Sequence, residues 1–405
     1  MSGPRVLMVI QRFRPIFTGH GLQIENLGRE LVARGAQVEI VTHRVPGAPE
    51  FEAGTVPVRR FPMVPTNNPA RLWWGHRGVL RYIAEGRDRF DVLHVHGFPP
   101  ALALLLRAGR RAGMRTVVTS TLLGSDDPLT IQQKGRLAGW RYRTYARADR
   151  FIAICPALAD LYPEAGLPGN KVAEIPVGVA VERFHPPADR EAAAEAAGWP
   201  RDVPRALFVG GILRRKGVDV LLDAWLEVLR ALPEARLYLA GPTEFGPTPV
   251  PGAPEFAARC QERARRPPLA GRVHFLGTVE DTSALYRAAH IFVFASRVEG
   301  FPNVLLEALA SGTPCVAARI PGSTDVSVTD GETGYVVPQE DPRAMADRVV
   351  ALLDDEETRR RMGAAARADA EARFALARVA EAHLNLYREI LNAPAGAGES
   401  ADVPG

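Results

Sequence analysis

The sequence predicts an α/β protein built from two Rossmann-like, doubly wound domains that face each other across a cleft. Three observations carry this expectation. Short β-branched runs alternate with longer helical stretches from Val6 to Val337. The alternation runs through once, meets a proline cluster at Pro186, Pro187, Pro200 and Pro204, and then begins again. At 405 residues the chain is long enough for two separate cores. Alternation of this kind means a parallel sheet covered by helices on both faces, and two such sheets meeting at the carboxyl ends of their strands make a ligand cleft.

In the first half, strands are expected at Val6 to Ile10, Val38 to Thr42, Val56 to Phe61, Val92 to Val95, Thr116 to Thr119, Phe151 to Ile154 and Val172 to Ile175. Helical patterns fall between most of them, among them Leu22 to Arg34 and Pro100 to Arg111. In the second half the strands are Ala206 to Val209, Arg236 to Ala240, Val273 to Leu276, Ile291 to Phe294, Cys315 to Ala317 and Tyr335 to Val337, with a helix at Val218 to Leu232. Asp341 to Leu391 reads as almost wholly helical. The expected domains are residues 1–185 and 186–375, followed by a helix over 376–392 that packs back on the first domain. Residues 393–405, rich in Gly, Ala and Pro, are expected to be a disordered tail.

Composition is that of a soluble protein, 46% hydrophobic and 24% charged. No apolar run approaches the ~20 residues that span a bilayer, and the run from Arg5 to Ile10 is too short for a signal-peptide core. A cytoplasmic protein is expected. Cys155, Cys260 and Cys315 suggest no disulfide framework, and the first and last sit in or beside strand-like runs as small core residues. The net charge of +4 hides an asymmetry: residues 1–183 hold 25 Lys and Arg against 15 Asp and Glu, and the remainder is acidic. A basic half points either to an anionic partner or to a solvated arginine-rich surface. Lys134, Arg136, Arg141, Arg143 and Arg147 interleave with Trp140, Tyr142 and Tyr145, and Arg71 and Arg77 flank Trp73 and Trp74. That pattern fits peripheral contact with an anionic membrane face, or an ordinary charged helix face. No nucleic-acid partner is expected.

The strongest motif is Ser296-Arg297-Val298-Glu299-Gly300-Phe301-Pro302-Asn303-Val304-Leu305-Leu306-Glu307-Ala308, directly after an apolar strand. Gly300 permits a tight turn and Pro302 presets φ for a helix start. The amides of Asn303, Val304 and Leu305 would then be free at a helix N-terminus, which suits a diphosphate. Glu307, four residues after Asn303, faces the same side.

A strand followed by Glu-x7-Glu bridged by Gly-Phe-Pro-Asn resembles the signature of the retaining GT-B glycosyltransferases, glycosyl transferases group 1 or family four. Two further segments resemble the same family: Phe208-Val209-Gly210-Gly211-Ile212-Leu213-Arg214-Arg215-Lys216-Gly217, and Ile175 to Phe184 between the domains. The resemblance implies a nucleotide-diphosphate sugar as donor and an acceptor that is a glycan, a lipid-linked compound or a small molecule. It implies that Glu299 contacts donor-sugar hydroxyls at the reacting end and that Glu307 binds the ribose. Lys216, helped by Arg215 near the Gly210 turn, would hold the diphosphate, and Gly300 to Val304 would line the same donor site. Gly19 would belong to a glycine loop after the first strand. His20 and His96 are placed on the acceptor side; His94 and His96 share one strand face, and a metal pair or a helix-packing role are the other readings. No Asp-x-Asp pair is present, so no metal and no other cofactor is expected.

Departures accompany the match. Gly211 stands where the family usually has arginine, and Val177-Gly178 replaces an Asn-Gly. The run Ser120 to Asp127 lacks the histidine many members carry, which leaves Asp126 as a candidate catalytic residue. Three rival readings compete with this one. An NAD-dependent oxidoreductase is disfavoured by Ile24 where a third glycine is needed and by the absence of an acid after Thr42. A nucleotide-sugar epimerase of the same fold and a non-catalytic nucleotide-sugar binding protein are the nearer alternatives.

Overall fold

The computed structural model describes residues 3–16, 18–63, 68–133, 137–244 and 250–394. In chain order it begins β1 (Arg5–Ile10), α1 (Gly19–Ala33), β2 (Gln37–His43), β3 (Phe51–Glu52), β4 (Val58–Phe61) and α2 (Pro69–Ala84). Next come β5 (Val92–His96), α3 (Leu102–Arg111), β6 (Arg115–Ser120), α4 (Pro128–Gln133), α5 (Ala138–Ala146) and β7 (Arg150–Ala153). The short helices α6 (Pro156–Ala159) and α7 (Leu161–Glu164) precede β8 (Val172–Glu174). There follow α8 (Arg190–Ala196), β9 (Arg205–Val209), α9 (Val218–Ala231), β10 (Arg236–Ala240), α10 (Ala253–Ala264) and β11 (Val273–Gly277). After α11 (Ser283–Ala288) and β12 (Ile291–Phe294) come α12 (Asn303–Ala310), β13 (Cys315–Ala318), α13 (Thr324–Ser327) and β14 (Gly334–Val337). Helices α14 (Pro342–Asp354), α15 (Glu356–Asp369) and α16 (Leu376–Asn392) close the described chain.

These elements form two units, Met1–Gly178 with Leu376–Gly405, and Val179–Ala375. Among the described residues the first holds an eight-stranded sheet ordered β3-β4-β2-β1-β5-β6-β7-β8, parallel except for the β3–β4 pair. The second holds a six-stranded parallel sheet ordered β11-β10-β9-β12-β13-β14. Central strands are buried on both faces, which is why they read as unbroken apolar runs such as Ile291–Phe294. The core of the first unit joins Val6, Met8 and Ile10 to Val379, Leu384, Tyr387 and Ile390 of α16. The core of the second is centred on Trp225, Phe208, Val293, Val349 and Leu352.

The division falls at Gly178/Val179, ahead of the 185/186 boundary expected from the prolines. Residues 186–204, where the prolines suggest a linker, belong to the second unit. Asp189 caps α8, accepting from the amides of Glu191 and Ala192 at 2.8 and 3.1 Å. Arg190 donates to the carbonyls of Arg287 and Ala289, and Trp199 stacks on Tyr238 with ring centroids 3.7 Å apart. The Arg190 and Trp199 contacts lie about 40 to 100 residues away in sequence, so local composition could not reveal them. Two expected interfacial aromatics are also placed otherwise. Tyr142 donates to the Ala165 carbonyl, and Tyr145 is fully buried against Phe151 at 4.7 Å. Lys134, Arg136 and residues 395–405 of the tail lie outside the described residues.

Candidate functional site

In the second sheet, β10 and β11 extend from one side of β9, and β13 and β14 from the far side of β12. Chain direction across the sheet therefore reverses between β9 and β12. Loops leaving the carboxyl ends of those strands diverge there, and ligands of doubly wound sheets bind in such a crevice. The two loops are Gly210–Gly217 and Ala295–Pro302, the two segments in which the motifs lie.

They are tied together by backbone and side chain. The Arg297 amide donates to the Arg215 carbonyl at 2.8 Å, and the first loop is held to β10 by the Gly210 amide donating to the Ala240 carbonyl at 2.8 Å. The Arg297 guanidinium forks onto Asp219 at 2.9 and 3.1 Å and also reaches the Arg214 carbonyl and Glu340. On this brace sit the polar groups. Lys216 Nζ donates to Glu299 Oε1, and Arg215 Nη1 donates to the same oxygen at 3.2 Å. Lys216 and Glu299 side chains are only 13% and 12% exposed, and the ammonium lies 5.7 Å from the centroid of Phe294. Burial pushes the Lys216 ammonium down, while the Glu299 charge opposes that shift. Two residues 83 positions apart thus form one sheltered ion pair. A sheltered cation of this kind is suited to an anion, and a carboxylate beside it to hydroxyls.

Helix α12 begins at Asn303, as the motif implied, but its first turn differs from the expectation of three free amides. Leu305 donates to the Pro302 carbonyl at 3.1 Å, closing the turn. Phe301 is buried and packs on Phe374 at 5.6 Å. Glu307 faces Tyr286, whose hydroxyl donates to Glu307 Oε2 at 2.9 Å. Burial raises the Glu307 carboxyl to about 7; the Tyr286 bond and the Arg183 charge pull the other way.

The first sheet reverses between β1 and β5, and His20 and His96 meet at that point with ring centroids 5.9 Å apart. The His94 ring lies against that of His96, centroids 3.9 Å apart and tilted by 34°, and bonds Tyr387 Oη and Thr119 Oγ1, both at 2.7 Å, so it packs α16 onto the sheet. His20 Nε2 and both ring nitrogens of His96 are buried with no hydrogen-bond partner among the described residues. A cavity of about 40 Å³ lined by His20, Gln23, His96, Thr119 and Thr121 adjoins them. Burial lowers the His20 imidazole to about 4 and that of His96 well below its usual value, so both are neutral donors and acceptors. Among the described residues, no group of three or more His, Cys, Asp or Glu could hold a metal ion.

Two expectations at this end are corrected. Gly19 is not in a loop: it opens α1, and Thr18 caps that helix by accepting from Gly21 at 3.0 Å. A Cβ on Gly21 would lie 2.8 Å from Thr18 Oγ1 and 3.1 Å from the Arg12 carbonyl, so the chain passes close to Gly21 as well. Asp126 is an internal brace rather than a group facing a ligand. It is 8% exposed, and its carboxylate accepts from the Thr121 amide at 3.0 Å, the Thr121 hydroxyl and the Leu122 amide. Burial pushes its carboxyl up, and those same bonds oppose the shift. Sequence reading missed Tyr286, Arg297 as a brace and Asp219. Tyr286 lies 21 residues from its partner and carries no local signal.

Comparison with known proteins agrees with both halves. Residues 203–355 match the family model for glycosyl transferases group 1, and residues 17–183 match that for glycosyltransferase family 4. The chain is 32% identical to a D-inositol 3-phosphate glycosyltransferase of Xylanimonas cellulosilytica, covering 96% of this chain and 97% of that protein. It is also 32% identical to a phosphatidyl-myo-inositol mannosyltransferase of Mycobacterium leprae, over 92% of each. In fold it is similar to a sucrose-phosphate synthase of Thermosynechococcus elongatus, with a TM-score of 0.78 at 23% identity, covering 96% of this chain and 100% of that one.

Proposed function

This chain belongs to the family 4, group 1 glycosyltransferases, and from that premise we propose that it moves a sugar, with retained configuration, from a nucleotide-diphosphate donor to a hydroxyl-bearing acceptor. The observation that carries the donor reading is the Lys216–Glu299–Arg215 cluster at the β9/β12 reversal, with Glu307 on the helix that follows. A diphosphate would take up the Lys216 charge, and the sugar hydroxyls would take up Glu299. The ribose would bond Glu307, which Tyr286 holds in place. As the bond from the anomeric carbon to phosphate breaks, the acceptor oxygen attacks from the same face and its proton passes to a phosphate oxygen. Glu299 then positions the sugar and does not attack. The reaction is proposed to need no metal or other cofactor. His20 and His96 supply neutral imidazoles for an acceptor hydroxyl. D-inositol 3-phosphate, the substrate in a relative's name, is the first acceptor to try.

Binding of UDP, GDP, ADP and dTDP, read as thermal stabilisation, identifies the base. With that donor series, Glu299→Ala is expected to reduce kcat/KM about 10- to 150-fold, the worth of one charge-assisted contact, with nucleotide affinity nearly unchanged. Glu307 adds a pH signature. A carboxyl raised to about 7 gains its proton as the pH falls through that value and loses its charge-assisted bond to ribose. Nucleotide affinity should therefore fall with falling pH in the wild type more steeply than in Glu307→Gln, which cannot titrate. Parallel pH curves, or wild-type turnover by Glu299→Ala, would contradict the assignment.

We further propose a cytoplasmic location with peripheral contact to an anionic membrane through α2. No helix of the described residues is long and apolar enough to cross a membrane. Trp73 and Trp74 are 51% and 59% exposed, and Arg77 lies 5.1 Å from the Trp74 ring centroid. Exposed aromatics beside cations suit the headgroup region. Flotation with phosphatidylglycerol vesicles should be salt-sensitive and weakened in Trp73→Ala/Trp74→Ala; no preference for anionic vesicles would retire this proposal.

A further inference from the structure

We propose that the groove between α3 and α5 binds a ligand presenting several phosphate groups, at a site distinct from the donor cluster. Arg107, Arg110 and Arg111 fall at i, i+3 and i+4, on one face of α3. Trp140, Arg143 and Arg147 fall at i, i+3 and i+7, on one face of α5 and its cap. The packing of α3 on α5 turns both faces into one groove of about 520 Å³, within the usual size of small-ligand sites. Arg110 and Trp140 are half-buried, and the other four arginines stand exposed around them.

The charges are unmatched. None of the five arginines makes an ion pair among the described residues, although neighbouring Arg5, Arg115 and Arg150 each pair with a carboxylate. Asp149, whose charge reaches Arg110, already accepts from Arg115 and from the amide and hydroxyl of Thr116. Arg110 is anchored by donating to the Thr144 carbonyl at 3.2 Å. Burial and the charges of Arg147 and Arg107 push its guanidinium down, the expected result of crowding like charges.

Cations near a helix C-terminus are often explained by the helix dipole. That accounts for Arg110, Arg111, Arg143 and the cap residue Arg147, but not for Arg107 in the middle of α3. Guanidinium forks match phosphate oxygens two by two, and five of them around one groove favour several phosphates over a single carboxylate. The groove lies where α3 and α5 lead into β6 and β7, at the amino edge of the first sheet. His20 and His96 lie at its carboxyl edge. The same chemistry is met by a soluble polyphosphorylated compound or by lipid headgroups.

Calorimetry of the full chain with inorganic tripolyphosphate tests this. Saturable binding is expected, retained in Lys216→Ala and weakened about tenfold or more in Arg143→Glu/Arg147→Glu. The control Arg87→Glu/Arg361→Glu removes the same charge from exposed positions elsewhere and should bind as wild type. The milder Arg143→Gln/Arg147→Gln, checked by circular dichroism, should weaken binding in the same direction. Flotation on vesicles of phosphatidylcholine and phosphatidylglycerol that depends on the groove arginines, without tripolyphosphate binding, would place the phosphates on lipid. Groove-dependent tripolyphosphate binding without such flotation would place them on a soluble compound. Equal losses in both double variants, loss in Lys216→Ala but not in the groove variants, or no groove-dependent binding of either probe would overturn the proposal.

Discussion

Lys216→Ala should weaken binding of a nucleoside diphosphate about 10- to 150-fold while leaving the bare nucleoside nearly untouched. The reason is position. Lys216 lies one residue before Gly217, the residue that precedes α9, and its ammonium is held by Glu299 over Phe294. With Gly211 where an arginine is usual, this sheltered cation carries most of the side-chain charge available to a diphosphate, helped by the more exposed Arg215. Losing a charge-assisted contact of this kind costs about 1.5–3 kcal/mol. The substitution also leaves Glu299 with Arg215 alone, so turnover should fall with affinity. Calorimetry on both ligands separates the cases. Equal losses for nucleoside and diphosphate would mean a disturbed fold, and no loss for either would move the phosphate contact to Arg214 or Arg215.

Gly217→Ala is expected to destabilise the second unit by roughly 2–5 kcal/mol and to abolish nucleotide binding with it. Gly217 has φ +68°, and a Cβ there would sit 1.9 Å from the Ala295 carbonyl oxygen. The two site loops therefore touch backbone to backbone, and no side chain fits between them. Gly198 is the control: its φ is +73°, but nothing lies within 4 Å of its Cβ position. Gly198→Ala should cost only the backbone term, about 1–2 kcal/mol. Urea unfolding followed through the buried Trp225 reads both. Similar midpoints for the two variants would show that the contact with Ala295 relaxes freely and that the loops are not locked together.

Much of this architecture was legible in residue order because its causes are local. Buried parallel strands must be apolar throughout, so β1, β9, β10 and β12 stand out as unbroken runs. The segment from Glu299 to Glu307 was legible for a related reason: a glycine turn, a proline and a helix start are each written within a few residues. Of the arginine groove, the face of Trp140, Arg143 and Arg147 stood out in the sequence, and that of Arg107, Arg110 and Arg111 did not. Groups that meet across the fold were not legible. Nothing near Lys216 announces Glu299, 83 residues away, and nothing near Glu307 announces Tyr286. Asp126 stood as a candidate catalytic residue, and nothing beside it announced that the turn following β6 folds its amides onto the carboxylate. For His94 the strand pattern left helix packing and a metal pair both open, and it is α16, almost 300 positions later, whose Tyr387 reaches its ring. Periodicity and turn chemistry act over a few residues and survive in sequence; burial, ion pairing and charge crowding depend on which elements pack together, and only the tertiary structure decides that.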